Sequence, residues 1–233
     1  MTRSPPRLRT TLAQILLFRT LDTEALRRLD TRCTWTHAAP KAWIVEHDDP
    51  GTDVYFLTHG LVRALIATAS ERDVIFTDIA AGEFFGELAA IDGKPRSASI
   101  RALTQATVAC MPAAVFREVL RNHPAVAEQV LRLLAARVRT LTQRVHEFSA
   151  LHVRHRIIAE LLRRSRTDPG RQGQALVSPP PTQMEIAAHV STRREMVARE
   201  MKAIERAGLL TRRRGALVLT DVGRLLAELR TEI

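Results

Sequence analysis

The order of apolar and polar positions changes character more than once along this chain of 233 residues. Leu16, Leu17 and Phe18, then Leu21, Ala25 and Leu26, stand at helical spacing, so residues 12–30 predict two short amphipathic helices. Over residues 33–112 the apolar runs shorten and fill with β-branched side chains, at 42–45, 54–57, 61–66, 73–77 and 106–110, with Gly51, Gly60, Gly82 and Gly86 between them. That rhythm predicts a small antiparallel barrel or jelly roll. Beyond Pro112 the helical period returns, and Ala127, Leu131, Leu134, Val138, Leu141, Val145 and Phe148 follow in steps of four and three. A stripe that narrow predicts a coiled-coil seam between two copies, with Arg132, Arg137, Arg139 and Arg144 on the outer faces. The alternative is a lone amphipathic helix lying on its own barrel.

The last third reads differently again. Residues 150–165 predict another helix, the stretch 167–173 a loop, and residues 175–177 a short strand before Pro179, Pro180 and Pro181. Thr182 is placed to cap a helix ending near His189, with Glu185 completing a capping box. Val190, Ser191 and Thr192 make a short turn into a second helix that starts at Arg193, with Met196, Val197, Met201 and Ile204 facing the protein. Residues 209–219 predict a β-hairpin turning at Gly215, and residues 221–229 a closing helix. Helix, turn, helix and hairpin together predict a winged helix-turn-helix, which lays its second helix in a DNA major groove. The expected fold class is therefore α+β. An N-terminal antiparallel β jelly roll occupies residues 12–122, a dimerisation helix 123–150 and the winged domain 151–233, behind a flexible basic tail of residues 1–11.

Charge sharpens this division. The chain holds 35 Lys and Arg against 25 Asp and Glu, a formal +10 that points to a polyanionic partner. Residues 150–233 alone carry 16 basic and 9 acidic side chains. The two cysteines, Cys33 and Cys110, show no Cys-x-x-Cys spacing and suit small core positions, so neither a disulfide framework nor an iron–sulfur site is expected. The first ten residues lead into no signal-type apolar run and no stretch has the length of a membrane span, so a cytoplasmic protein with no membrane partner is expected. His152 and His155 stand three apart without a third ligand, so no metal or heme is expected.

The most distinctive chemistry lies between residues 85 and 101. Amides at Glu87, Leu88 and Ala89 would open a short helical turn, whose unpaired donors favour a phosphate. Gly86 would let the backbone approach a ligand with no Cβ in the way. A Glu87 carboxylate suits a ribose hydroxyl, and the Arg96 fork suits two phosphate oxygens, with Ser97 adding a hydroxyl and an amide. An internal ion pair between Glu87 and Arg96 is the plainer alternative. The run Gly86-Glu87-Leu88 with Arg96-Ser97-Ala98 resembles the phosphate-binding cassette of the cyclic-AMP receptor protein and fumarate-nitrate regulator superfamily of bacterial transcription factors, in its cyclic-nucleotide-binding branch. The resemblance implies a jelly roll with the cassette as its one short helical insertion, and dimerisation through the long helix. It also implies that Leu141 and Thr142 stand where the family's cyclic-AMP binders place two hydroxyl residues against the adenine. Leu141 lacks that hydroxyl, so cyclic AMP, cyclic GMP or both stay open as effectors.

At the other end, Arg194-Glu195 followed by Arg199 resembles the recognition-helix motif of the same branch. By that resemblance Arg194 and Glu195 would read base edges and Arg199 a base or phosphate. Ser191 stands where the turn usually has Gly, and Arg193 replaces a small phosphate-contacting Ser. Arg212, Arg213 and Arg214 at the hairpin suit phosphate contacts, or serve only as a soluble turn. The function implied is a homodimeric, non-enzymatic transcription regulator. Nucleotide binding would allosterically control its grip on palindromic double-stranded promoter DNA, with RNA polymerase as a further partner. A ligand-independent or differently gated regulator, and a nucleotide-binding regulatory module without DNA readout, are the alternatives.

Overall fold

The computed structural model describes residues 11–67 and 73–230. The chain divides into two compact units, residues 1–136 and 137–233. In the first, the expected helix pair is two single 3₁₀ turns, Leu12–Gln14 and Leu16–Phe18, and one helix, α1 (Thr23–Asp30). Extended backbone at Ile15 separates the turns, and the Asp22 carboxylate starts α1 by accepting from the Ala25 amide at 2.7 Å. Of the expected tail, residues 1–10 lie outside the described residues. Thr11 is anchored, its hydroxyl donating to Asp30 at 3.0 Å while the Leu12 amide donates to the same carboxylate at 2.8 Å.

Eight strands follow: β1 (Thr34–Ala38), β2 (Trp43–Val45), β3 (Val54–His59), β4 (Leu61–Ile66), β5 (Val74–Ala80), β6 (Phe84–Phe85), β7 (Ser99–Ala102) and β8 (Ala106–Met111). They form two antiparallel sheets ordered β1-β8-β3-β6 and β2-β7-β4-β5. Side chains alternate across a strand, so each sheet offers two faces. Leu57, Phe85 and Val108 from the first sheet share a core with Val62, Ile79 and Ile100 from the second. The opposite face of the first sheet, with Val54, Phe56 and Met111, packs against Leu12, Phe18, Phe116 and Val126. A short helix, α2 (Glu87–Asp92), is inserted between β6 and β7, and α3 (Ala113–Asn122) follows β8.

The long helix α4 (Pro124–Ala150) gives its first half to this unit and its second half to the next. Val126 and Val130 are buried in the first core, with Leu133 and Leu134 packed against it. Leu134 thus belongs to the core rather than to a free seam. Leu131, Val138, Val145 and Phe148 remain an exposed apolar line, with Leu131 at 66% and Val145 at 64% of full exposure. Arg132 and Arg139 are exposed as expected, whereas Arg137 and Arg144 are half-buried, and burial lowers the Arg144 pKa from the ordinary guanidinium value.

The second unit adds α5 (Val153–Arg164), β9 (Arg166–Thr167), β10 (Ala175–Val177), α6 (Gln183–His189), α7 (Arg194–Arg206), β11 (Leu210–Arg213), β12 (Ala216–Leu219) and α8 (Val222–Arg230). Its sheet runs β11-β12-β10-β9, all antiparallel. Ile157, Ile158 and Leu161 of α5 meet Ile186, Val197, Met201 and Ile204 in one core. Beside that core lies a buried charge cluster. Glu160 bonds Arg163, and Arg164 Nε at 2.5 Å, with His189 Nδ1 at 3.7 Å. Arg163 also grips Glu147 of α4 through one nitrogen at 2.8 and 2.9 Å. No helix among the described residues is long and apolar enough to cross a membrane.

Candidate functional site

The residues around α2 converge on one guanidinium. Gly86 takes φ 85°, a left-handed conformation that only glycine adopts at little cost, and so turns β6 into α2. Space requires glycine there as well. A Cβ would stand 2.7 Å from Arg96 Nη1 and 2.8 Å from the Asp53 carbonyl oxygen. Arg96 is 4% exposed and donates from Nη1 to the Gly86 carbonyl at 3.1 Å. Its Nε is buried with no hydrogen-bond partner, and among the described residues no carboxylate forms an ion pair with it. Glu87 is likewise buried, at 2% exposure. The internal Glu87–Arg96 pair considered as the plainer alternative is therefore not formed. Ser97 and Leu88 are exposed beside them, and Ala89 is buried.

Two further sets of residues shape this corner. The backbone of Arg96 is bracketed by the loop after β2: its amide donates to the Asp49 carbonyl at 2.9 Å, and its carbonyl accepts from the Asp48 amide at 3.0 Å. Behind the guanidinium stands an aromatic wall, with Arg96 Cζ 5.5 Å from the Tyr55 ring centroid and Tyr55 stacked on Phe85 at 5.2 Å and 7°. A cleft of about 530 Å³ is lined by Trp43, Glu46, His47, Asp48, Asp49 and Tyr55, among others. On the neighbouring strand Cys110 donates from Sγ to Asp53 at 3.4 Å, and burial pushes its thiol up to about 11. Burial likewise pushes the Cys33 thiol up to about 12, which suits an inert packed residue. Sequence reasoning passed over Tyr55 and Phe85, because aromatic residues in a strand read first as core. Nothing in the sequence pairs them, because the cross-strand register that sets Tyr55 against Phe85, immediately before Gly86, is fixed only by the folded sheet.

Leu141 and Thr142 lie on the half of α4 that belongs to the second unit. Leu141 is half exposed, and the Thr142 hydroxyl donates to the Val138 carbonyl of its own helix at 3.0 Å. That bond uses the hydroxyl proton and leaves the oxygen as an acceptor.

In the second unit the Thr182 capping box is complete. The Glu185 amide donates to the Thr182 hydroxyl at 3.1 Å, and the Thr182 amide donates to the Glu185 carboxylate at 2.9 Å. Between α6 and α7, Ser191 holds φ 53°, and the Thr192 amide donates to the Ala187 carbonyl at 3.0 Å. A non-glycine residue pays about 1–2 kcal/mol in that conformation. Replacing Ser191 with Gly is therefore expected to raise stability by up to about 1 kcal/mol after the entropy of glycine is allowed for. The result would read as slower hydrogen exchange across the two helices that flank Ser191.

Arg193, which caps α7, and Arg194, Glu195 and Arg199 within it are all exposed, while Val197, Met201 and Ile204 are buried and Met196 half-buried. Arg199 is folded along its own helix, with Nη2 3.1 Å from Glu200 and 2.9 Å from Met196 Sδ. The hairpin turns at Arg214 and Gly215. Two of its arginines face carboxylates, Arg212 with Glu205 at 2.7 Å and Arg213 with Asp168 at 3.7 Å. Among the described residues Arg193, Arg194 and Arg214 have no carboxylate partner. No group of three or more His, Cys, Asp or Glu residues is placed to hold a metal ion among the described residues.

Comparison with known proteins matches both units. A family model described as a cyclic nucleotide-binding domain covers residues 35–123, and one described as a Crp-like helix-turn-helix domain covers residues 155–228. The chain is 30% identical to the cAMP-activated global transcriptional regulator Vfr of Pseudomonas aeruginosa, over 81% of this chain and 91% of that one. It is 27% identical to a CRP-like cAMP-activated global transcriptional regulator of Mycobacterium tuberculosis, over 76% of this chain and 80% of the other. Among solved structures, a CooA mutant from Carboxydothermus hydrogenoformans has a TM-score of 0.78 at 19% identity, covering 92% of this chain and 95% of its own. The regulator CLP of Xanthomonas campestris, described as c-di-GMP responsive, has a TM-score of 0.68 at 22% identity, covering 85% and 99%. At those identities the two structures speak to the fold alone.

Proposed function

Because the chain belongs to the CRP/FNR family of transcription regulators, with a cyclic nucleotide-binding domain and a Crp-like helix-turn-helix domain, we propose that it is a homodimer whose grip on palindromic promoter DNA is set by a cyclic nucleotide. The observation that carries the reading is Arg96, a guanidinium at 4% exposure that has, among the described residues, one carbonyl partner, a bare Nε and no carboxylate. Burying a charge so sparsely paired costs several kcal/mol, and an anion arriving at that fork offsets the cost. A phosphodiester suits it. Arg96 and Ser97, with the amides of Glu87, Leu88 and Ala89, would take the phosphate. Glu87 would take a ribose hydroxyl, and Leu141 with Thr142 would meet the base. Cyclic AMP is the first candidate, since the relatives named above are cAMP-activated. Cyclic GMP is the second, because Leu141 brings no hydroxyl.

The exposed line of Leu131, Val138, Val145 and Phe148 on α4 supports pairing with a second copy. Two recognition helices would then read two half-sites, with Arg194 and Glu195 on base edges and Arg199 on a base or phosphate. Arg193, Arg212, Arg213 and Arg214 would hold the backbone, and Thr182 would fix the first helix against it. RNA polymerase is the further partner such a regulator would meet on promoter DNA. The test is selection from random duplex DNA with and without each nucleotide, using wild type and Glu195→Ala. A two-fold-symmetric site enriched only with nucleotide, and loss of preference at one position per half-site in the variant, costing about 1–3 kcal/mol there, is expected. Equal weakening on every sequence would remove Glu195 as a base reader. Identical binding with and without either nucleotide would make the protein a constitutive regulator.

A further inference from the structure

A buried cation that must attract an anion cannot be held by a carboxylate, because the carboxylate would cancel the charge the ligand needs. Arg96 faces this constraint, with no carboxylate ion pair among the described residues and a single carbonyl bond at 3.1 Å. One hydrogen bond does not fix a side chain with four rotatable bonds. Among the described residues the other contact of the guanidinium is the face of Tyr55, 5.5 Å from Cζ. We propose that Tyr55, backed by Phe85, is a positioning residue that holds Arg96 in its phosphate-accepting orientation through a cation–π contact that leaves the positive charge uncancelled. This rests on the reading of Arg96 as the phosphate ligand.

The wall is built to be rigid. Tyr55 and Phe85 are paired directly across β3 and β6, and their rings are nearly parallel, 7° apart at 5.2 Å. Phe85 is 3% exposed within the core shared by the two sheets, so the stack is anchored from behind. Gly86 follows Phe85, and a Cβ there would lie 3.4 Å from the Tyr55 ring as well as colliding with Arg96. The absent Cβ therefore lets ring and guanidinium come together. Burial pushes the Tyr55 phenol up to about 12, with the Cys110 thiol beside it adding to the shift. The ring is neutral throughout the neutral range, and its attraction for Arg96 is that of a π face rather than a phenolate. Contacts of this kind are worth up to about 30-fold in an equilibrium constant when desolvated.

The test uses the full-length protein with phenylalanine at position 55, then its mono-, di- and trifluorinated analogues, titrated calorimetrically with cyclic AMP and with cyclic GMP. Fluorine drains the π face with little change of size, so a merely structural ring would not respond to it. Tyr55→Phe is expected to keep the affinity within a few-fold, and the trifluorinated ring to weaken it by about 5- to 30-fold in even steps, with the nucleotide-free protein still folded. Wild type that binds while the series stays flat overturns the positioning role and leaves the site reading intact. Wild type that binds neither nucleotide overturns the site reading and this inference with it.

Discussion

Arg96→Ala is expected to lose cyclic-nucleotide binding without losing the fold. Truncating one partner of a desolvated charge pair costs about 2–5 kcal/mol, roughly 30- to several-thousand-fold in Kd. The unusual half of the expectation concerns stability. An arginine buried in a structural ion pair takes stability with it when removed, because its carboxylate is stranded. Arg96 has no such carboxylate among the described residues, and its Nε is bonded to nothing. Removing it relieves a desolvation cost and forfeits one bond to the Gly86 carbonyl and the contact with the Tyr55 face. The thermal midpoint of the nucleotide-free variant should therefore equal or exceed that of wild type, while the rise in midpoint on adding nucleotide disappears. Arg96→Lys should fall between, since an ammonium restores the charge but not the fork. A variant that still binds with micromolar affinity or better would show that the phosphate is held elsewhere. A variant that unfolds would show that Arg96 serves the roll rather than a ligand.

How much of this was legible beforehand depended on whether a residue's chemistry is visible without its neighbours. Gly86, Glu87 and Arg96 were legible because a glycine, a carboxylate and a guanidinium at that spacing have few bland uses together. The capping box of Thr182 and Glu185 was legible for the same reason, being local in sequence. Tyr55 was not, since its role comes from an arginine 41 positions away and only the sheet register brings them together. The stripe on α4 was half legible. Its period was right, but a heptad pattern does not say which neighbour covers each position, and Leu134 turned out to lean on the first unit's core. The wing arginines were visible as charge, while the carboxylates of Glu205 and Asp168 that face two of them come from other elements. Those pairs are exposed on at least one side, so exchanging carboxylate for phosphate on DNA costs little.

The buried cluster around Glu160 was the least legible feature, and it carries the largest expected loss of stability. In sequence Glu160 sits in a basic helix and reads as a solvated residue, yet it is 2% exposed. It meets Arg163, Arg164 and His189, while Arg163 carries the connection on to Glu147, so three helices share one network. Glu160→Ala strands Arg164, leaves Arg163 to Glu147 alone and is expected to destabilise the second unit by roughly 3–5 kcal/mol. The lower end is the better expectation, since Arg163 and Arg164 keep partial contact with water. Burial alone would raise the Glu160 pKa, but His189, Arg164 and Arg163 outweigh it and hold the carboxyl below its ordinary 4.5. A folded-state pKa below the unfolded one means this stabilisation is present above about pH 4.5 and is lost as pH falls through the folded value. The isosteric Glu160→Gln should therefore unfold more easily than wild type at neutral pH and lose less on acidification, so the two curves converge below pH 4.5. Because the chain has two units, hydrogen exchange on α5 and α6 is the proper readout, not a single midpoint. Protection there should fall in the variant at neutral pH while the strands of the first unit keep theirs. Undiminished protection on α5 and α6 would mean that the cluster does not hold these helices together.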